Sequence, residues 1–328
     1  MWPAMCRRSY WRVFVGNVLL RRPLRLGKVL VMTVVGACHS PDKPSQPEDT
    51  PTSGHIRLAA DVSLRPALDP LLDQFHRTYP RAHIEVRYLP EAEAVAGLLS
   101  DSFRVVVVAR PFTPEDSAQL ASQRIRPKQT RLVREGIAVI GHPSRKDSLL
   151  RVDTLLAWLT NPRSPYTFVV EGGAGSGILR YLRDSLLKGA EIRAPLYRAD
   201  SAPAAIAYVQ QNPRAIGLIG VAWVCDRDDS TTRKFLQQVR LFALAPSGGQ
   251  AYYYPYAGYL RPGFYPLARD VYALSREPRL GLGSGFISYA AGPDGQRLLL
   301  KSELLPAQAP VRIVELKEEP LSIEREER

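Results

Sequence analysis

Residues 103–109 read Phe-Arg-Val-Val-Val-Val-Ala, a nearly unbroken β-branched run. Side chains alternate between the two faces of a strand, so this run has two apolar faces to bury. A sheet covered by helices on both sides meets that demand, which argues for an α/β plan with parallel strands. The neighbouring segments agree. Residues 56–60 (IRLAA) and 84–89 (IEVRYL) read as strands. Between them, Leu64, Leu68, Leu71, Leu72 and Phe75 recur at helical spacing, and Pro80 ends the pattern. Residues 91–100 read as a helix. Thr113 and Pro114 supply the N-cap and first position of another.

A second set of the same kind follows. Residues 136–141, 167–171, 215–220 and 239–244 read as strands, and 152–159, 178–187 and 201–211 as helices. The polar stretch 222–236 is a candidate crossing segment, and 252–260 a candidate edge or hinge strand. Residues 266–305 read as mostly helical, and 311–316 as a closing strand. Two α/β sets, with a chain that returns to the first, predict two lobes and a ligand cleft between them. The fold class is therefore α/β, two-lobed, with helices on both faces of its sheets.

The first 37 residues hold seven bases and no acid, then the short apolar run 29–37 (VLVMTVVGA). Nine residues rise only about 13 Å as a helix, too short to span a bilayer. The pattern is that of a secretory leader. Its exit, Val35-Gly36-Ala37-Cys38, matches the lipobox of bacterial lipoproteins, with Cys38 as the acylated residue. Residues 38–54 are polar and proline-rich, the composition of a tether. The expected organisation is a leader at 1–37, a tether at 38–54, lobe I from 55–135 plus 238–316, lobe II from 136–237, and a charged tail at 317–328. An extracytoplasmic protein held to a bacterial membrane by lipid follows from this reading.

The chain carries 44 Lys and Arg against 32 Asp and Glu, a formal charge of +12. Removing the leader leaves 37 bases against 32 acids. That balance suits a small anion by its field and makes a poor case for nucleic acid. Of three cysteines, Cys6 leaves with the leader and Cys38 takes lipid. Cys225 then reads as a small core residue. The five histidines show no metal-ligand spacing, and no cofactor is expected.

Residues 173–177 (Gly-Ala-Gly-Ser-Gly) lack the Lys-Ser/Thr end of a nucleotide-phosphate loop, the spacing of a dinucleotide loop, and the symmetry of a nucleophile elbow. No enzyme chemistry is supported. The segment lies between a strand and a helix, so it is either a backbone anion cradle with Ser176 and Arg180 as donors, or a plain turn beside a solvated arginine. Ser63 is either an N-cap or a donor at the first strand end. Arg110 follows the buried strand, as a donor at the carboxyl end of the sheet or a rim salt bridge.

The sequence resembles the PstS-type phosphate-binding proteins of ABC importers, in the type 2 periplasmic-binding-protein superfamily. The resemblance runs from about Ile56 to Leu316. It rests on RLAADVSLRPALDPLLDQFHRTYP (57–80), PEAEAVAGLL (90–99), VVVVARPFTPED (105–116) and RYLRDSLLKG (180–189). NPRAIGLIGVAWVCDRDDST (212–231), YPLARDVYALSRE (265–277) and GLGSGFISYAAGPDGQRLLLKSELLPAQAPVRIVEL (281–316) extend it. The resemblance implies a ligand held in the cleft by helix N-termini and hydroxyls, and delivery to a membrane permease. By position it implies ligand contacts from Ser63 with Leu64, Arg110, Ser176, Gly177 and Arg180. Two positions depart from the family: Ile178 stands where threonine is common, and Ala109 precedes Arg110 where a carboxylate follows the third strand. The expected function is capture of an oxyanion, inorganic phosphate first, by a monomeric lipoprotein serving an ABC permease. The alternative is a surface lipoprotein of the same fold, used for signalling or assembly without phosphate.

Overall fold

The computed structural model describes residues 49–225 and 230–308. The leader, Cys38, most of the tether, the strand expected at 311–316 and the charged tail lie outside the described residues.

The chain begins β1 (Gly54–Asp61), α1 (Arg65–Thr78), β2 (Ala82–Leu89), α2 (Glu91–Leu99), β3 (Val105–Val108) and α3 (Pro114–Ser122). β1 pairs in parallel with β2 on one side and β3 on the other. All four residues of β3 are buried, as the valine run demands. Thr113 and Asp116 form a reciprocal capping box at α3, with Pro114 at the first position.

β4 (Lys128–Gly141) is longer than expected and starts at Lys128, not Gly136. Then come β5 (Leu149–Arg151), α4 (Val152–Thr160), β6 (Thr167–Glu171), α5 (Gly177–Tyr181), β7 (Leu196–Ala199), α6 (Ala202–Gln211) and β8 (Ala215–Gly220). α5 runs into a π turn at Leu182–Leu186. The candidate crossing segment holds a helix instead, α7 (Ser230–Gln238), whose Phe235 and Leu236 pack against the core with Ile206 and Val209. β9 (Arg240–Leu241) and β10 (Ala243–Ala245) follow, and the expected hinge strand is reduced to a single bridge between Leu244 and Tyr253. The end is β11 (Ala268–Ser275), α8 (Leu282–Ala291), α9 (Pro293–Lys301) and β12 (Leu305–Pro306).

β11 corrects the helical reading of residues 266–305. It sits in mid-sheet, antiparallel to both β3 and β4, with six of its eight residues buried. Non-local pairing on both edges outweighs a local pattern that fits helix or strand. The sheet order is β2-β1-β3-β11-β4-β8-β6-β7. β4 holds its two halves together. Its residues 128–136 pair with β11, and 137–141 pair with β8.

Each half of the sheet has a core on either face. In the first half, Leu58, Leu71, Phe75, Val107 and Phe286 pack on one face, and Val95, Leu98, Val106 and Leu274 on the other. In the second, Leu155, Phe168, Ile178 and Leu218 face Ile137, while Ile206, Val209 and Ile219 pack behind. Phe242, Leu244, Leu260, Tyr265 and Leu267 belong to the second half's core. We therefore place the chain's return to the first lobe at β11 and not at residue 238. The molecule is a two-lobed α/β protein with a mixed sheet. Cys225 is buried in the first core, its thiol donating to the Ser302 carbonyl at 3.1 Å.

Phe286 is fully buried and packs edge-on against Phe75, with ring centroids 5.6 Å apart. Phe286→Ala is expected to lower unfolding stability by about 3–5 kcal/mol, the usual loss for an aromatic core truncation. Urea denaturation at pH 6 checks this.

Candidate functional site

Ligands in open α/β sheets bind outside the carboxyl ends of strands. Here those ends bring together Asp61 from β1, Ala109 after β3, Glu171 from β6 and Gly220 from β8. Glu135 projects from β4 beside Arg269 from β11, which stand in register. Glu91 opens α2 and Arg180 lies in α5.

The geometry centres on Arg269, which is 3% exposed. Its Nε donates to Glu135 Oε1 at 2.6 Å, and its Nη2 donates to Ser63 Oγ at 2.9 Å. Ser63 N–H in turn donates to Asp61 Oδ1 at 2.9 Å. Asp61 is thus the cap of the turn Val62–Leu64, and Ser63 is the acceptor for a buried guanidinium. Leu64 is a core residue of the first lobe.

Glu171 Oε2 accepts the Gly220 N–H at 3.0 Å. Ser176 Oγ donates to the Glu171 carbonyl and accepts the Leu179 N–H at 3.4 Å, so it caps α5. Arg180 is half-buried and is not free in the cleft. Its Nε and Nη2 donate to the two oxygens of Glu91, and its Nη2 also donates to the Ala109 carbonyl at 2.8 Å. Glu91 Oε2 accepts the Ala109 N–H at 3.1 Å. Arg110 turns towards α3, donating to Asp116 and to the Pro111 carbonyl. Its rim salt-bridge reading describes that contact. Ile178, in place of the common threonine, is buried in the second core.

The glycine segment works by close approach. The Ala92 N–H donates to the Gly175 carbonyl at 3.1 Å. A Cβ on Gly177 would lie 2.7 Å from both Asp61 Oδ2 and Glu91 Oε2. A Cβ on Gly220 would lie 2.6 Å from the Ser63 carbonyl oxygen. These positions admit only glycine, because they let β6–α5 and β8 press against the first strand-end loop.

Six charged groups therefore meet in one place: four carboxyls (Asp61, Glu91, Glu135, Glu171) and two guanidiniums (Arg180, Arg269). Asp61 Oδ2, Glu135 Oε2, Glu171 Oε1 and Arg269 Nη1 are buried without a hydrogen-bond partner. Glu277 shows the contrast. It is as deeply buried, but its two oxygens accept three hydrogen bonds from Gly283 and Ser284 at the start of α8.

Burial pushes Glu171 up to about 8 and Glu135 up to about 7. The Gly220 N–H opposes the first shift and Arg269 the second, while Asp61 adds to both. Burial also raises Asp61, with Arg269 opposing and Glu91 adding. Burial alone would lower Arg269, but Glu135, Asp61 and Glu91 together raise it.

Sequence reasoning singles out Ser63, Ser176, Gly177 and Arg180, which do converge on this region. Arg110 lies apart, and Leu64 is core. It misses Asp61, Glu91, Glu135, Glu171 and Arg269. Glu171 had a signal: an acid closing an apolar strand that is buried on both faces. Among the described residues no group of three or more His, Cys, Asp or Glu side chains is arranged to hold a metal.

Residues 45–294 match the family model described as the PBP superfamily domain, and the chain belongs to that superfamily. Its fold is shared with a Clostridium perfringens protein solved with bound phosphate and described as a phosphate ABC transporter substrate-binding protein. The TM-score is 0.62 at 17% identity, over 78% of this chain and all of the other. An ABC-type phosphate transport receptor from Vibrio cholerae aligns with TM-score 0.55 and 14% identity, over 77% of this chain and all of the receptor. The regulatory domain of Synechocystis CcmR, in complex with 2-PG, aligns with TM-score 0.51 and 12% identity, over 76% of this chain and 98% of that domain. Comparison with functionally curated proteins returned no match.

The buried acids make stability depend on pH. An unfolded Glu titrates at about 4.3. The folded chain therefore holds extra protons on Glu135 and Glu171 from there up to about 7 and 8. Their contribution to stability is full below about pH 4.3 and lost as pH rises through those folded values. The melting temperature is expected to fall from pH 5.5 to pH 8.5, and Glu171→Gln to reduce that fall; scanning calorimetry at both pH values reads it. Separately, Gly177→Ala forces a Cβ onto two carboxylate oxygens. It is expected to part the lobes and increase the radius of gyration in solution X-ray scattering.

Proposed function

We propose that this chain is a solute-binding protein that captures an oxyanion, inorganic phosphate foremost, in the cleft at the strand-end cluster. The observation that carries this reading is Arg269. A buried guanidinium with an unpartnered Nη1 stands where the carboxyl ends of the strands converge. A guanidinium is the side chain best suited to an oxyanion, because its planar N–H donors match the oxygen edge. Ser63 Oγ and Arg180 lie in the same cluster and are the further donors. Membership in the superfamily, and the fold shared with proteins described as phosphate binders, support solute capture as the role.

Around this core, the lipobox at Cys38 supports a lipid anchor on the outer face of a bacterial membrane, and the proline-rich tether supports stand-off from it. The expected partner is the permease of an ABC importer, served by a monomer. Capture is by closure of two lobes, without chemistry on the solute.

A second reading has one specific observation in its favour. Ser63, Ser176, Arg110 and Arg180, the side-chain donors marked by sequence, are all engaged by protein groups. A surface lipoprotein of this fold with no phosphate ligand would look the same.

Isothermal titration of the purified protein with phosphate, sulfate, molybdate and arsenate between pH 5.5 and 8.5 separates the two. Saturable heat with phosphate is expected, weakened at least tenfold by Arg180→Ala. No heat with any of the four, at any pH, overturns oxyanion capture and leaves the second reading.

A further inference from the structure

The cluster poses a problem that oxyanion capture has to solve. With every group ionised, four carboxylates face two guanidiniums, and the site is acidic. Glu91 is fully committed to Arg180 and the Ala109 N–H. Arg269 is committed through Nε and Nη2, and only its Nη1 remains. Left over are three carboxyl oxygens, Asp61 Oδ2, Glu135 Oε2 and Glu171 Oε1, against that nitrogen and the O–H of Ser63, whose oxygen accepts from Arg269. An anion entering this set as it stands meets more acceptors than donors.

Among the described residues, the ionisable groups facing Glu135 and Glu171 are Asp61 from β1, Glu91 from α2 and Arg269 from β11. Arg180 from α5 reaches Glu91. Tyr181 lies within electrostatic reach of Arg269, and also of Arg134 and Asp270. The Tyr181 hydroxyl donates to the Ala268 carbonyl at 2.9 Å, and Arg134 stands 3.9 Å from Asp270. Asp200 is exposed, near Gly173 at the mouth of the glycine loop. None of these groups is a histidine, so within this set the carboxyls themselves are what can change the charge balance near neutral pH.

We propose that the cleft takes its oxyanion together with protons: Glu171 and Glu135 enter the closed site as neutral acids, and their unpartnered oxygens become O–H donors to the bound anion. With those two protons aboard, Asp61 and Glu91 balance Arg180 and Arg269. The site becomes neutral, and its leftover set changes from two donors to four. The protons come from solvent. Their cost is lowest where burial already favours the neutral acid, as it does at both residues. A ligand without ionic charge has no such need, so proton coupling also selects anions over neutral solutes. The inference rests on the oxyanion reading above and adds a pH rule to it.

The test compares phosphate binding by the wild-type chain and by Glu171→Gln at pH 6.0 and pH 8.5. Glutamine keeps an oxygen for the Gly220 N–H and presents a permanent N–H donor. The titration of phosphate itself is common to both proteins and cancels in the ratio of their affinities. Between pH 6.0 and 8.5 the wild-type chain is expected to lose about fourfold more affinity than Glu171→Gln loses, the factor by which the protonated fraction of a carboxyl titrating near 8 falls over that range. At pH 7.5, calorimetry in two buffers of different ionisation enthalpy is expected to show the wild-type chain taking up more protons per phosphate than Glu171→Gln. Glu135→Gln, which still accepts from Arg269, is a second substitution expected to flatten the profile in the same way. Parallel pH profiles and equal proton uptake would overturn proton coupling while leaving oxyanion capture intact. Absence of phosphate binding by the wild-type chain at both pH values would overturn the oxyanion reading, and this inference with it.

Discussion

The ion pair between Arg269 and Glu135 joins two long antiparallel neighbours of the sheet, β11 and β4, at the point where β4 passes from one lobe to the other. Both residues are essentially inaccessible to solvent. Through Ser63 Oγ the same guanidinium fixes the loop after β1, and through Ser63 N–H that loop fixes Asp61. Removing one partner of such a pair costs roughly 3–5 kcal/mol, because the other charge stays buried and unpaired. Replacing both by apolar residues of similar volume is often neutral. The pair is therefore weak as an argument for stability alone. Its presence makes sense if the guanidinium has a further task, and its unpartnered Nη1 is where that task falls.

Closure depends on different residues. The glycines at 175, 177 and 220 bring backbone to within contact of Pro90, Ala92, Asp61, Glu91 and Ser63. Arg180 then clasps Glu91 across the same boundary. A loop that reads in sequence as an anion cradle serves here as the surface on which one lobe lands on the other. These roles are compatible, since a small ligand is sequestered only if the walls around it come close. They also explain why a motif resembling a phosphate loop places its serine on its own strand's carbonyl: the hydroxyl is needed to hold a tight strand-to-helix turn before a helix of only five residues.

Most of the layering was legible from residue pattern. The β3 valine run demanded two covered faces, and the start of α3 was written in Thr113 and Pro114. What failed was non-local. β11 alternates too weakly to announce itself, because it is buried between two strands that lie more than a hundred residues away along β4 and β3. β4 began eight residues early because Lys128 to Glu135 is polar enough to read as loop, and only pairing with β11 makes it strand. The site was half legible for the same reason. Ser63, Ser176 and Arg180 sit in loops or at helix starts with recognisable composition. Arg269 and Glu135 lie inside strands, where a charged residue reads as a solvent-facing position until the opposite charge is found in register beside it.

Counting charge by location changes what the composition means. The basic surplus of the full sequence sits largely in its first 37 residues, and the strand-end cluster has the opposite sign. An oxyanion site with four carboxyls and two guanidiniums works only if protons are part of its inventory. Field at the surface and chemistry in the cleft are thus separate questions. The surface carries a modest positive balance that can draw an anion inward. In the proposed capture, protonation of the cluster decides whether the anion stays. Asp61, Glu135 and Glu171 are too deeply buried to be neutralised by water or bulk salt. The closed state consequently carries a proton count that the open, hydrated state does not need to match, and closure and protonation become one equilibrium.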